Sequence, residues 1–122
     1  MRGELGNKIK KQRIHLKLSL RKVCDAVLND NAKPISVSYL NDIEQGHRKS
    51  PSGKIIIQIA NALKLDRQEL LNLVGKLDPV IEDVVNKNAK AGILFRKIAE
   101  ASKNDNEIFD RLGKELNKEE NE

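Results

Sequence analysis

Two segments of the chain carry the same helix-start signal. At Ser19 and again at Ser36, an aliphatic residue precedes the serine and another follows four residues after it. The hydroxyl can accept a bond from a free backbone N–H of the first turn, and the two aliphatic side chains can form a hydrophobic staple. The sequence therefore predicts helices over 20–28 and 37–45, with Gly46 ending the second.

Helical spacing recurs along the rest of the chain. Aliphatic residues repeat at intervals of three and four, whereas strict alternation and Asn-Gly or Asp-Gly turns do not occur. Aromatic residues are scarce, with one Tyr, two Phe and no Trp, so the core must be built from Leu, Ile and Val. We expect an all-α fold. Its other helices are predicted over about 4–16, from Ser52 or Gly53 to 63, over 67–74, 79–87 and 89–101, and after an Asp105 cap.

The positive charge is concentrated in the N-terminal half. Residues 1–54 contain 12 basic and 5 acidic side chains, a net charge of +7, whereas residues 55–122 contain 11 basic and 13 acidic ones. This asymmetry indicates that one end of the chain meets a polyanion. A helical surface that is merely solvated and basic would give the same counts, so charge alone leaves both interpretations open.

The composition argues against several other classes of protein. Cys24 is the single cysteine, and His15 and His47 lie far apart, so no disulfide and no metal-ligand spacing is evident. Neither a nucleophile motif nor a glycine-rich phosphate loop occurs. Apolar runs are short, and no secretory signal follows Met1. We expect a cytoplasmic protein that is not an enzyme, with no membrane span, metal or cofactor.

A longer pattern connects the two serine-capped helices. The stretch Ile35–Gly46 reads ISVSYLNDIEQG, and the chain around it contains Leu5-Gly6, Ile9, Arg13, Leu18-Ser19, Pro51-Ser52 and Ile59–Leu63. With these residues, positions 5–75 resemble the helix-turn-helix domain of Cro and cI-type phage repressors, the XRE family, whose corresponding motif is VSxSYISxIExG. The resemblance implies a five-helix, lambda-repressor-like domain that binds double-stranded DNA.

The helix over 37–45 has a polar face that suits base recognition. At about 100° per residue, Leu40, Ile43 and Glu44 share one side, and short polar groups occupy the other. Ser and Asn can bond base edges, Asp can accept from a cytosine amino group, and Val can touch a thymine methyl. Without the resemblance, an ordinary solvated face would be preferred. With it, the expected base-contacting residues are Val37, Ser38, Asn41 and Asp42.

Basic residues stand near the starts of two predicted helices. Arg21 and Lys22 occupy a first turn, where cations oppose the helix dipole unless a phosphate docks there. In the XRE family, this region and the segment after the recognition helix clamp the DNA backbone. The alternative is that these residues only aid solubility. The expected backbone contacts are Arg21, Lys22, Ser36, Arg48, Lys49 and Lys54.

Two further positions follow from the resemblance. Arg13 and Glu44 match positions that form an ion pair across the core in related phage repressors, which implies a structural role for both. The chain departs from the family between helices two and three, where Leu28 replaces the usual glycine and Asn29–Pro34 is inserted. Lys33 in this insertion is an additional candidate for a phosphate contact.

The C-terminal part is less specific. We expect a DNA-binding domain over 1–75 and a helical extension over 76–122 whose tail frays from Lys118 onward. Apolar residues within 93–98 and 108–116 need a partner surface. A homodimer fits, because two half-sites match a two-fold protein.

The sequence thus predicts a sequence-specific transcription regulator, in the first place a repressor. The alternative is an antitoxin or immunity-type protein whose main partner is another protein, bound by the C-terminal helices.

Overall fold

A computed structural model describes residues 3–47 and 51–120, and within these ranges the chain forms eight α-helices. The all-α fold class predicted from the sequence is confirmed. No helix in the described part is long and apolar enough to cross a membrane. In chain order the helices are α1 (Glu4–His15), α2 (Leu20–Asp25), α3 (Val37–Gln45), α4 (Gly53–Leu63), α5 (Arg67–Leu73), α6 (Pro79–Lys87), α7 (Ala89–Ser102) and α8 (Ile108–Glu120).

Serine caps define where three of these helices begin. The hydroxyls of Ser19, Ser36 and Ser52 each accept a bond from the backbone N–H three residues later, at 3.1, 3.0 and 3.3 Å. Gly46 ends α3 in the left-handed conformation, at a φ of 73°. Such caps satisfy backbone groups that a helix end leaves unpaired. The bounds of α3 were predicted from its two caps, and they agree with the structure residue for residue.

The second helix is shorter than predicted. It ends at Asp25 rather than at Leu28, because the backbone turns away after Ala26. Leu28 instead pairs with Pro34 in an isolated antiparallel bridge, and the Ile35 N–H donates to the Val27 carbonyl at 2.9 Å. The residues before the insertion therefore use their backbone groups to close the inserted loop rather than to extend the helix.

The last helix also differs from its prediction. It begins at Ile108, two residues later than a cap at Asp105 predicts, because residues 105–107 form a turn in which Asp105 accepts a bond from the Glu107 N–H at 3.0 Å. At the other end it continues to Glu120, so the described part of the tail from Lys118 is helical rather than frayed. An ion pair between Lys118 and Glu115, one turn earlier, supports this end.

The chain divides into two compact units, with the boundary between Pro79 and Val80. In the first unit, α1 packs against α3, α4 and α5, α2 packs against α3 and α4, and α4 packs against α5. The enclosed core is aliphatic and contains no aromatic ring. Its buried side chains are Leu5, Ile9, Val23, Cys24, Val27, Ile35, Leu40, Ile43, Ile56, Ile59, Ala60, Leu63, Leu70 and Leu71.

The second unit has no comparable core. Its helices α7 and α8 contact each other, but none of the described residues from 80 to 120 is buried. Several large apolar side chains of this unit are exposed instead. They are Val80, Ile81, Val84, Ile93, Leu94, Phe95, Phe109 and Leu116.

A glycine sets the distance between α1 and α3. A Cβ atom on Gly6 would lie 2.5 Å from the Ile43 carbonyl oxygen and 2.6 Å from that of Glu44. Both obstacles are backbone atoms, which cannot move aside as a flexible side chain can. The close packing of these two helices therefore requires glycine at this position.

We expect Gly6→Ala to destabilise the first unit by about 1–3 kcal/mol or more, because the new methyl group must push the helices apart. Gly113→Ala in α8 is the matched control, since nothing lies within 4 Å of its added Cβ. It should be neutral or stabilising, by up to about 1 kcal/mol, because Ala favours a helix over Gly. Urea unfolding of the full chain measures both; equal stability of Gly6→Ala and wild type would contradict the packing.

Candidate nucleic-acid interface

Helix α3 has a buried side and an exposed polar side. Leu40, Ile43 and Glu44 are buried in the first unit, whereas Ser38 and Asn41 are exposed. The half-buried residues Val37, Asp42 and Gln45 lie between these extremes. The structure thus places Val37, Ser38, Asn41 and Asp42 at positions where a ligand lying along α3 can reach them.

The start of α3 is supported from the core. Ser36 accepts the Tyr39 N–H through its hydroxyl oxygen, and as an exposed residue it can still donate its own O–H outward. Behind it, the Cys24 thiol donates to the Ser36 carbonyl at 3.5 Å. Burial raises the pKa of this thiol, so Cys24 packs as a protonated side chain rather than as a reactive thiolate.

A buried ion pair connects α1 to α3. The Arg13 guanidinium donates from Nε to Glu44 Oε2 at 2.7 Å and from Nη2 to Oε1 at 3.0 Å. Its Nη1 donates to the Leu18 carbonyl at 2.9 Å, just before α2 begins. Only 13% of the Arg13 side chain and 1% of the Glu44 side chain are exposed. One side chain therefore joins three elements of the helix-turn-helix region, and the bond to Glu44 raises the pKa of Arg13.

The structure describes three of the five basic residues that were predicted to contact a nucleic-acid backbone. Arg21 and Lys22 are exposed in the first turn of α2, and Lys54 is exposed in the first turn of α4. In all three cases the positive side chain stands in the first turn of a helix, the end at which the helix dipole favours a bound anion. The other two, Arg48 and Lys49, lie outside the described residues.

The insertion between α2 and α3 forms an ordered loop. Asn29 donates its N–H to the Lys33 carbonyl at 2.8 Å, and its side-chain oxygen accepts the N–H groups of Asn31 and Lys33 at 2.9 and 3.1 Å. Ala32 adopts a left-handed conformation, at a φ of 60°, which lets the chain reverse direction. The loop is therefore fixed by its own backbone and by one asparagine.

Gln58 is a structural residue that the sequence analysis missed. Its side-chain Oε1 accepts the Leu28 N–H at 2.7 Å, and its Nε2 donates to the Leu28 carbonyl at 2.9 Å. The two bonds attach the base of the inserted loop to α4. One signal was visible in the sequence, since Gln58 is a half-buried polar residue within the apolar run from Ile55 to Ala60.

A groove of about 540 Å³ runs along the start of α3. The inserted loop forms one wall, and the capped beginnings of α3 and α4 form the other. The lining residues are Asn29, Asp30, Pro34, Ile35, Ser36, Tyr39, Ser52 and Ile55. The groove is open, and it places the inserted loop next to Ser36 and Tyr39 at the start of α3.

A second ion pair was also missed by the sequence analysis. Arg67 of α5 pairs with Asp78, whose side chain is largely buried. The interaction holds the connection after α5 against the first unit. No group of three or more His, Cys, Asp or Glu side chains in the described ranges is arranged to hold a metal ion.

Comparison with known proteins identifies the region that contains this surface. Residues 9–70, half of the chain, match the helix-turn-helix family. The match spans Arg13, Glu44, the inserted loop and the whole of α3. No curated protein and no solved structure is significantly similar to the chain.

Removing one partner of the Arg13–Glu44 pair should cost more stability than removing both. Arg13→Ala leaves a carboxylate that is almost fully buried, and Glu44→Ala leaves a largely buried guanidinium. Each single variant should lose about 3–5 kcal/mol, whereas the double variant should lose less than either single variant. Thermal and urea unfolding of the four proteins measure this cycle. Strictly additive losses would show that the two side chains do not act as a pair.

Proposed function

The chain belongs to the helix-turn-helix family of Cro/cI (XRE) type, the DNA-binding transcription regulators, and we propose that it is a sequence-specific repressor. It reads the major groove of double-stranded DNA with α3. The observation that carries this proposal is the division of α3 into a side locked in the core and an exposed side bearing Ser38 and Asn41.

The proposed base contacts follow from the chemistry of that exposed side. Ser38 and Asn41 donate and accept hydrogen bonds at base edges, and Asn suits the paired groups of adenine. Val37 offers methyl groups to thymine at the start of the helix. Asp42 accepts from a cytosine amino group, one turn deeper. In this arrangement, the burial of Leu40, Ile43 and Glu44 keeps these four side chains directed at the major groove of the DNA.

The proposed backbone contacts lie at the helix starts. Phosphates dock beside the first turns of α2 and α4, where positive side chains coincide with the positive end of the helix dipole. A docked phosphate also explains why cations stand at positions that the helix dipole disfavours. The residues assigned to this role are Arg21, Lys22, Ser36, Arg48, Lys49 and Lys54.

The test begins with selection of binding sites from random duplexes, followed by footprinting. Ser38→Ala and Asn41→Ala should then reduce discrimination between the selected site and random DNA by about 1–3 kcal/mol, because each removes a base contact. Stability should stay near wild type, since both side chains are exposed. If each variant keeps its specificity ratio, α3 is not the reading element.

Lys22→Ala is the matched control for these variants. It removes a proposed phosphate contact, which carries no sequence information. Affinity for the selected site and for random DNA should therefore fall about equally. A change in specificity from Lys22→Ala would instead place its side chain at a base.

We also propose that the protein acts in the cytoplasm as a homodimer, paired through α6–α8. The support is the lack of buried residues in the described part of the second unit, together with its exposed Ile93, Phe95, Phe109 and Leu116. Short helices with such surfaces need a partner to be stable. A two-fold dimer would place two copies of α3 on two half-sites one helical turn apart.

A chain ending at Pro79 should fold as a monomer, because it keeps the aliphatic core and the Arg67–Asp78 pair but lacks α7 and α8. Its affinity for the selected site should fall by about 10²–10⁴, because the two DNA-binding domains are no longer linked and the binding of one no longer raises the effective concentration of the other. Sedimentation and DNA titration of the full and shortened chains measure both effects. If the shortened chain still dimerises and binds as tightly, the second unit does not pair subunits.

If the full chain is a monomer, the result would favour the alternative that the second unit binds a different protein. Its exposed apolar residues would then serve a different protein, as expected of an antitoxin or immunity-type protein that also binds DNA. Regulation of the promoter would remain as the function of the first unit. Co-expression with the product of a neighbouring gene, followed by copurification, distinguishes this case from self-association.

A further inference from the structure

The inserted loop 29–34 is built as a rigid projection. All six of its residues are exposed, yet its backbone is closed by the Leu28–Pro34 bridge and by the bonds to the Asn29 side chain. An exposed loop without such bonds would sample many conformations, and ordering it on binding would cost entropy. This loop has already lost that freedom in the free protein.

The loop is also fixed relative to the helix that reads DNA. Gln58 of α4 holds both backbone groups of Leu28, and the Ile35 N–H that follows the loop donates to the Val27 carbonyl. Ile35 is buried and directly precedes the cap of α3. The position of the loop is therefore set by the same core that positions α3.

The direction of the projection follows from the shared groove. The loop residues Asn29, Asp30 and Pro34 line it together with Ser36, Tyr39 and Ser52. Around α3, the half-buried Tyr39 stands about 40° from the buried Ile43 and about 100° from the exposed Ser38, so the groove runs along the flank of the helix between its buried and exposed sides. DNA that receives α3 in its major groove brings a phosphate strand along each edge of that groove. The loop lines the groove beside Ser36 at the start of α3, so it would stand next to one of these edges.

We propose that loop 29–34 is an additional DNA-contacting element beside the recognition helix, with Lys33 binding a backbone phosphate. This inference rests on the proposed function of α3 and extends the interface to residues that the usual short turn does not provide. Lys33 forms no ion pair with any described residue, so its charge is available to a phosphate. Its backbone closes the loop through the bonds to Asn29, which leaves the side chain free of structural duties.

The loop contains an acidic residue that makes the test sharper. Asp30 is exposed and also forms no ion pair within the described ranges. If the loop lies near phosphates, removing Lys33 should weaken binding, whereas removing Asp30 should strengthen it. A variant that merely disturbs folding would weaken binding in both cases. Opposite signs therefore report proximity to DNA.

The experiment uses the full chain, the duplex from site selection, and the variants Lys33→Ala and Asp30→Ala. Lys11→Ala is the matched control, because it is an exposed lysine of α1 beside Leu65, near the far end of α4 from the loop. Affinities are measured at 50 and 200 mM salt. Losing one phosphate contact flattens the slope of log K against log salt concentration by about 1. The ratio of the wild-type affinity to the Lys33→Ala affinity should therefore shrink by about threefold between the two salt concentrations.

The expected result is weaker binding by Lys33→Ala, tighter binding by Asp30→Ala and a smaller effect of Lys11→Ala. In a Gln58→Ala background, which loosens the base of the loop, the Lys33→Ala effect should become smaller. The inference is overturned if Lys33→Ala and Asp30→Ala both behave like Lys11→Ala on a duplex that wild type binds specifically. If wild type itself prefers no duplex, the proposed function fails first.

Discussion

The orientation of α3 depends on one buried contact, the ion pair between Arg13 and Glu44. A carboxylate with 1% of its side chain exposed can stay in the core only if its lone pairs are satisfied, and Arg13 satisfies both oxygens. Such pairs contribute little net stability compared with apolar packing, but they penalise every arrangement that separates them. Rotating α3 about its axis would strand Glu44, so the pair also determines that Ser38 and Asn41 face outward.

Close packing reinforces this constraint. The Gly6 position brings the backbone of α1 against the carbonyls of Ile43 and Glu44, which limits how far α3 can shift along α1. The short turn that usually connects the second and third helices in this family is absent here. Side chains hold both sides of this connection: Arg13 bonds to the Leu18 carbonyl before α2, and Gln58 bonds to the backbone of Leu28 after α2. The two bonds from Gln58 attach the base of the inserted loop to α4.

Signals within a few residues of each other were sufficient to predict most of the helices. The serine caps and Gly46 are such signals, and they gave the bounds of α3 correctly. The predicted end of α2 was wrong because the actual end depends on the backbone of Leu28. This residue pairs with Pro34 across the loop and bonds to Gln58, thirty positions away. Gln58 was missed for the same reason. No helical periodicity shows that a glutamine amide will meet the backbone of a distant residue. The exposed and buried sides of α3 could be predicted, since they follow from its period alone.

The two units differ in what can stabilise them. The first contains an aliphatic core of its own, so its folding is an intramolecular balance that does not change with protein concentration. In the described part of the second unit no side chain is buried, although apolar residues occur along all three helices. The free energy that orders those helices must therefore come largely from surfaces outside the unit, and it depends on the concentration of whatever supplies them. A regulator built this way couples DNA affinity to its own abundance when the partner is a second copy, and to another protein's abundance when it is not.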